Sequence, residues 1–290
     1  MYSLGLPLAI LLNIGVMITT HMGSMMYLHV KNIVPGKPES LYEIGFMLYG
    51  RKSIFILGSI LFILACGLCM IYFIVFGDTF GQFVANFTEG KESLGSVWYT
   101  SRWCYSVPLA LILIPFCLKK QLSELDFMAK ILFVALGIFL IVNFIQLAFN
   151  SKFEALAIST DILAPKMSIG TISALSVTCL AYSYQQNIFP IFWELKERTY
   201  DNYSTASKYA MTLVGAFYLI VGIIGAMMFG HTLKSSVLLN IGIARHFDDP
   251  TKGFFEAYIS QISFMIVLMC HIPFIFFSGK EALLICVDEI

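Results

Sequence analysis

Long apolar runs separated by short polar intervals extend along the whole chain. A hydrocarbon core about 30 Å thick needs roughly 20 helical residues, so runs of that length without Asp, Glu, Lys or Arg predict membrane-spanning helices. The runs cover residues 4–30, 53–77, 103–118, 131–149, 167–193, 209–230 and 257–279. A further apolar stretch over residues 282–290 predicts only a partial helix. We therefore expect an all-α integral membrane protein, with about seven transmembrane helices in one domain over residues 1–290.

The composition supports lipid as the solvent of this chain. Hydrophobic residues make up 58% of the sequence and charged residues only 12%, whereas soluble domains have roughly 25% charged residues. The formal net charge is zero, which gives no reason to expect a nucleic-acid partner. The cysteines lie mainly within apolar runs, where cysteine acts as a small hydrophobe, and we expect neither a metal nor a cofactor. The sequence contains no H-E-x-x-H, Walker loop or nucleophile elbow, so an enzyme is not expected.

The basic residues predict which loops face the cytoplasm. Lys and Arg accumulate in cytoplasmic loops, and here they concentrate after the first, third and fifth runs, at Lys31, Lys37, Arg51, Lys52, Lys119, Lys120, Lys196, Arg198 and Lys208. This topology places the sequon at Asn86 outside, where it would be glycosylated. The sequon at Asn202 falls in a cytoplasmic loop and should stay unmodified.

The fifth run contains the most unusual cluster of polar residues. It reads Ala181-Tyr182-Ser183-Tyr184-Gln185-Gln186-Asn187-Ile188-Phe189-Pro190. Polar groups in mid-membrane are costly unless they face protein or a water-filled cavity, and Pro190 favours a break in the helix. Broken helices form substrate sites in many secondary transporters. The alternative is a proline-kinked helix whose glutamines bond to neighbouring helices.

Other intramembrane polar residues are weaker candidates. Asn143 and Gln146 are three residues apart and so share a helix face, which favours hydrogen bonding between helices over a binding site. Tyr72 lies among Ile, Leu and Phe, where core packing is the simpler role.

Several motifs resemble one known family. Residues 181–198, with Pro-Ile-Phe-Trp-Glu-Leu-Lys-Glu-Arg at their end, resemble the sixth transmembrane segment of the amino acid/auxin permease family. The resemblance is strongest to its sodium-coupled neutral amino-acid transporter branch. Residues 42–52, 72–78, 118–123 and 229–240 also match the family in the same order.

The resemblance implies a five-plus-five inverted-repeat transporter fold of about eleven helices. On that numbering the chain supplies segments two to eight and the start of nine, and is incomplete at both ends. The implied function is secondary active transport of neutral amino acids, coupled to H⁺ or Na⁺, at the plasma membrane or a lysosomal or vacuolar membrane. The implied substrate-binding residues are Ala181, Tyr182, Ser183, Gln185, Gln186, Asn187 and Tyr72. Gln185-Gln186 stands where the family often has His-Pro, which leaves the substrate open.

His271 bears on the coupling ion. In sodium-coupled relatives the matching position is a Thr whose hydroxyl helps to hold Na⁺, and imidazole is a poor replacement because Na⁺ prefers oxygen ligands. Our hypothesis is that a protonated His271 replaces the sodium ion. Alternatively the histidine stays neutral and bonds to a carbonyl freed by Pro273, or the alignment slips and places Cys270 or Ile272 at the ion position.

Two other functions are alternatives to transport. A seven-helix receptor has the same topology, although the residues after the third run and in the seventh run do not match the motifs of the commonest receptor class. An amino-acid sensor with the transporter fold but little flux fits every feature above. The oligomeric state stays open.

Overall fold

The computed structural model describes residues 4–36, 38–87, 101–119, 121–149, 169–229 and 255–289. Over these residues the regular structure is helical. The helices are α1 (Leu6–Ile33), α2 (Leu41–Tyr49), α3 (Lys52–Phe87), α4 (Trp103–Cys117), α5 (Asp126–Phe149), α6 (Ile169–Ala181), α7 (Ile188–Glu194), α8 (Tyr200–Phe229) and α9 (Phe255–Asp288). Single 3₁₀ turns cover Leu122–Leu125 and Gln185–Asn187.

Five of the described helical segments are long and apolar enough to cross a membrane. They are Leu6–Ile33, Lys52–Val84, Leu122–Ile145, Tyr200–Met227 and Tyr258–Asp288. The apolar helix α4 has 15 residues, a length of about 22 Å at the rise of an α-helix. Each predicted apolar run overlaps one described helix, except that the fifth run overlaps both α6 and α7. The chain is thus an all-α integral membrane protein.

Local sequence signals explain the ends of the short helix α2. Ser40 caps its start, because the side chain accepts a hydrogen bond from the Glu43 backbone N–H at 3.2 Å. Glu43 in turn accepts one from the Glu39 N–H at 2.7 Å, a reciprocal arrangement close to a capping box. The helix ends at Gly50, whose φ of 79° is a conformation that glycine adopts without a Cβ penalty.

Helix α9 is longer than the sequence predicts. The predicted seventh span ends at residue 279 and a separate partial helix starts at 282, but the structure has one helix through this stretch. Lys280 and Glu281 interrupt the apolar pattern without interrupting the helix, since both residue types favour helices. Lys280 donates to the Cys117 carbonyl at 3.2 Å and also to the Lys119 carbonyl, so its charge lies at the C-terminal end of α4, where helices favour cations.

Contacts divide the chain into two compact units. The first unit comprises residues 1–61, 155–231 and 282–290. In it, α1 packs against α6 and α8. One buried cluster joins Val16, Tyr182 and Met211, and a second consists of Met25, Leu28, Ile188, Phe192 and Tyr203.

The second unit comprises residues 62–154 and 232–281. Its core draws on α3, α4, α5 and α9, and its buried members are Phe76, Leu109, Leu113, Leu125, Met128, Met265, Leu268, Cys270 and Ile272. The chain therefore has apolar side chains buried within each unit as well as apolar side chains exposed for contact with lipid.

Candidate functional site

The fifth predicted span is broken at its polar cluster. Helix α6 ends at Ala181 and α7 begins at Ile188, with the 3₁₀ turn Gln185–Asn187 between them. We call residues 182–187 the break. The structure thus confirms the helix break that the sequence predicts. Pro190 is the third residue of α7, where its missing N–H costs no intrahelical bond and also prevents the helix from extending back through the break.

Two aromatic hydroxyls fasten the N-terminal side of the break to neighbouring helices. The Tyr182 hydroxyl donates to Asn13 Oδ1 on α1 at 3.0 Å. The Tyr218 hydroxyl on α8 donates to the carbonyl of Ala181 at 3.0 Å, and the two tyrosine rings meet edge to face. Tyr182 is buried. The predicted substrate residues Ala181 and Tyr182 therefore make structural contacts that hold the end of α6 in place.

The C-terminal side of the break carries two buried amide oxygens. Gln186 Oε1 and Asn187 Oδ1 are buried, and within the described part of the chain neither has a hydrogen-bond partner. An unpaired polar group costs about 1–3 kcal/mol when it is removed from water. Ser183 and Gln185, which precede Gln186 and Asn187 in the break, are half-buried. These oxygens can accept hydrogen bonds from an ammonium group or coordinate a small cation.

Helix α7 is anchored at its far end. The Lys31 ammonium at the end of α1 lies 4.3 Å from the ring centre of Phe192 and 4.2 Å from that of Trp193, within the range of cation–π attraction. The Trp193 indole donates to the Glu39 carbonyl at 2.9 Å. The short helix is therefore held by its aromatic side chains, while its other end meets the break.

One polar residue connected to the break, His21, is not among the candidates from the sequence. His21 on α1 lies 2.9 Å from Ser207 Oγ on α8, through its Nδ1 atom. The Tyr184 hydroxyl lies 3.1 Å from the same Ser207 oxygen. A titratable residue in the middle of an apolar run is a recognisable signal, so His21 could have been selected as a candidate, but its partners could not.

Tyr72 and His271 occur together in the second unit. Their rings stack, with centres 5.1 Å apart and planes inclined by 17°. Both are half-buried, and α9 continues through Pro273. The structure thus brings Tyr72 together with the predicted ion-coupling residue. The remaining predicted substrate residues lie in the first unit. In the described part of the chain, no three His, Cys, Asp or Glu side chains are grouped as a metal site requires.

The two sequons differ in what the structure describes. Asn86 lies near the end of α3, but its side chain and Thr88 fall outside the described residues, so its glycosylation stays a prediction. Asn202 is exposed in the first turn of α8. Its Nδ2 atom, to which a sugar would be attached, donates to Glu197 Oε2 at 2.9 Å.

Known proteins with similar sequences are amino-acid transporters by name. The chain is 25% identical over 232 residues to amino acid transporter AVT6C of Arabidopsis thaliana, a match covering 74% of this chain and 50% of the relative. It is 31% identical over 135 residues to vacuolar amino acid transporter 7 of Saccharomyces cerevisiae, covering 45% and 28%. It is also 23% identical over 220 residues to sodium-coupled neutral amino acid transporter 7 of Bos taurus, covering 75% and 45%.

These matches extend over half or less of the length of each of these three relatives. No solved structure matches the chain. The sequence profile described as transmembrane amino acid transporter protein matches residues 1–278. That match covers nearly the whole chain, and it agrees with the broken helix and the apolar spans, so the chain belongs to the transmembrane amino acid transporter family.

Proposed function

We propose that this chain forms part of a secondary active transporter for neutral amino acids, with the substrate bound at the break. One observation carries the proposal: the buried oxygens of Gln186 and Asn187 have no partner in the described part of the chain. An α-ammonium group has three N–H donors. Two of them can satisfy these oxygens and remove the cost of leaving them unpaired.

The rest of the break suits the same ligand. Ser183 is half-buried and offers a short hydroxyl. Backbone groups of the break can bind the α-carboxylate, as they do in transporters built from discontinuous helices. A site that recognises only the α-amino and α-carboxylate groups binds the part that all amino acids share. The preference for particular amino acids would then be set by protein residues that contact the side chain of the substrate.

For the coupling ion we propose a proton carried by His271. The stacking of its ring on Tyr72 holds the imidazole in one orientation, and histidine is the side chain that changes charge between about pH 5 and 8. The relatives named above include a vacuolar transporter and a sodium-coupled transporter. We therefore assign the protein to a plasma, vacuolar or lysosomal membrane.

Uptake of radiolabelled amino acids by the full-length gene product in proteoliposomes tests the proposal. We expect saturable uptake of several neutral amino acids, driven by a proton gradient and independent of Na⁺. His271→Ala should abolish the proton dependence, whereas His29→Ala, an exposed position on α1, should not. Uptake that requires Na⁺ and persists unchanged in His271→Ala would refute proton coupling. Saturable binding without uptake would identify a sensor instead.

A further inference from the structure

A hydrogen-bonded chain connects an intramembrane histidine with the break. His21 Nδ1 and the Tyr184 hydroxyl both contact Ser207 Oγ, at 2.9 and 3.1 Å. Ser207 is buried, and His21 and Tyr184 are half-buried. The three residues come from α1, the break and α8, so the chain joins two continuous helices to the interrupted one.

Few of the described ionisable groups lie beside the hydrogen-bonded residues His21, Ser207 and Tyr184. Among the described residues, Lys208 on α8 is a charged residue close enough to act on His21. The Tyr203 hydroxyl, also on α8, lies beside Tyr184 and Ser24. The Ser24 hydroxyl donates to the His21 carbonyl at 2.7 Å. Among these neighbours in the described residues there is no carboxylate, so a proton on His21 would add positive charge that no acidic side chain here neutralises.

The protonation state of His21 determines which hydrogen bonds it can form with Ser207 and, through Ser207, which direction is open to the bond with Tyr184. A neutral imidazole with its proton on Nε2 accepts from Ser207 at Nδ1, and Ser207 then accepts from Tyr184. A protonated imidazole has donors on both nitrogens. It donates to Ser207 Oγ, which frees the Ser207 hydroxyl to donate to Tyr184. When Ser207 donates to it, the Tyr184 O–H can donate to a ligand at the break.

We propose that His21 is a proton-binding residue that controls whether the Tyr184 hydroxyl donates into the break. Protonation reverses the hydrogen bonds and provides one more donor beside the residues that we assign to the amino acid. An additional donor favours an α-carboxylate. The inference rests on the proposed function for the identity of that ligand, but the proton-driven reversal at the break is a property of His21, Ser207 and Tyr184 themselves.

Trp193 provides a reporter that does not depend on transport. It lies at the C-terminal end of α7, the helix that begins at the break, with the cations of Lys31 and Arg198 at 4.2 and 4.8 Å from its ring centre. The sequence has 3 tryptophans. Replacing the other two, by Trp98→Phe and Trp103→Phe, leaves Trp193 as the source of tryptophan fluorescence in this sequence. In the full-length product, tryptophans elsewhere would be replaced as well. The protein would be reconstituted in liposomes and its fluorescence titrated between about pH 5 and 8.

We expect a sigmoidal change in Trp193 fluorescence that His21→Gln removes. Ser207→Ala should also remove it, because the alanine cannot relay the hydrogen bond. His29→Gln is the matched control on the same helix, since His29 is exposed, and it should leave the transition intact. A transition of unchanged midpoint and amplitude in His21→Gln would overturn the inference, and so would the absence of any transition in the parent protein.

Uptake measurements in parallel separate this inference from the proposed function. The parent protein should take up amino acid faster at about pH 5 than at about pH 8, because the protonated fraction of an imidazole falls across this range. Tyr184→Phe and His21→Gln should flatten that profile. If the fluorescence transition depends on His21 but no amino acid is transported or bound, the proposed function fails and the proton site stands. If uptake keeps its pH profile in His21→Gln, the proton site fails and transport stands.

Discussion

Two sets of amides within predicted spans differ in how their polar atoms are satisfied. On α5, Asn143 is buried, and its Nδ2 atom donates to the Phe139 carbonyl at 2.6 Å and to Ser260 Oγ on α9 at 2.9 Å. At the break, the oxygens of Gln186 and Asn187 are buried without such a partner in the described residues. Asn143 therefore connects two helices, as the sequence predicts, and the break amides are left to contact something else.

The difference shows that a polar residue in a span is not by itself a sign of a site. Asn143 has the same chemistry as Asn187, but its bond to Ser260 explains its presence. Buried polar groups in folded proteins are nearly always paired, so an unpaired one requires a specific reason. At a break in a helix, the simplest reason is a ligand that supplies the missing donors.

The largest effect should come from filling the break with apolar side chains. We expect Ser183→Leu and Gln186→Leu to reduce amino-acid uptake at least tenfold, the loss equivalent to about 1.4 kcal/mol of binding free energy. Ser176→Leu is the matched control, because Ser176 is exposed on α6 and donates to the Ile172 carbonyl of its own helix. Surface expression of all three variants is measured by biotinylation. Normal uptake by both break variants would locate the substrate elsewhere.

The two buried amides of the second unit, Asn143 and Gln261, should differ in what their replacement does to stability. Asn143→Leu removes the bond to Ser260, and we expect the free energy of unfolding to fall by about 1 kcal/mol, within the range of hydrogen bonds between membrane helices. Gln261 on α9 is fully buried, and both its amide atoms lack a partner in the described residues. Gln261→Met should therefore leave stability unchanged or raise it. Thermal unfolding in detergent measures both, and a larger loss for Gln261→Met than for Asn143→Leu would contradict this distinction.

Much of the fold is readable from the sequence because lipid imposes a simple rule. Runs without charge must be helical where they cross the membrane, and the described helices overlap all seven runs. The break is also readable, since residues 182–187 place consecutive polar groups in a span. The continuity of α9 is not, because a charge pair such as Lys280 and Glu281 resembles the end of a span until its contacts with the C-terminal end of α4 are known.

The composition of the site is harder to predict than its location. His21 and Ser207 are 186 residues apart in the chain, and nothing local to either indicates the other. The motif predicts that Tyr182 binds the substrate, but its hydroxyl donates a hydrogen bond to Asn13. Tertiary contacts between distant helices decide which polar residues in a motif are already paired and which can bind a ligand.

A smaller effect should follow from loosening that structural contact. Tyr182→Phe removes the hydrogen bond to Asn13 but keeps the ring packed against Val16 and Met211. We expect a loss of about 0.6 kcal/mol in unfolding free energy, the average for such bonds in a membrane protein, with uptake largely retained. Combining it with Asn13→Leu should cost little more than Asn13→Leu alone, because the two residues share one bond. A fully additive loss would mean that the bond contributes nothing.

Glycosylation should have the least effect on uptake, although it tests the topology. Asn86→Gln is expected to abolish a glycosidase-sensitive shift in electrophoretic mobility, and Asn202→Gln to leave it unchanged, because the basic loops place these sequons on opposite sides. Uptake should be normal in both. A shift that survives Asn86→Gln and disappears with Asn202→Gln would reverse the predicted orientation.

Protection of a cysteine at the break by substrate tests the central claim most directly. The full-length protein would carry Ser183→Cys, with its native cysteines replaced, and be labelled with a maleimide in the presence and absence of a transported amino acid. We predict slower labelling with the amino acid, saturating at the concentration that half-saturates uptake, and no protection at Ser176→Cys. Equal labelling rates at Ser183→Cys with and without the amino acid, in a protein that still transports it, would show that the break is not the substrate site.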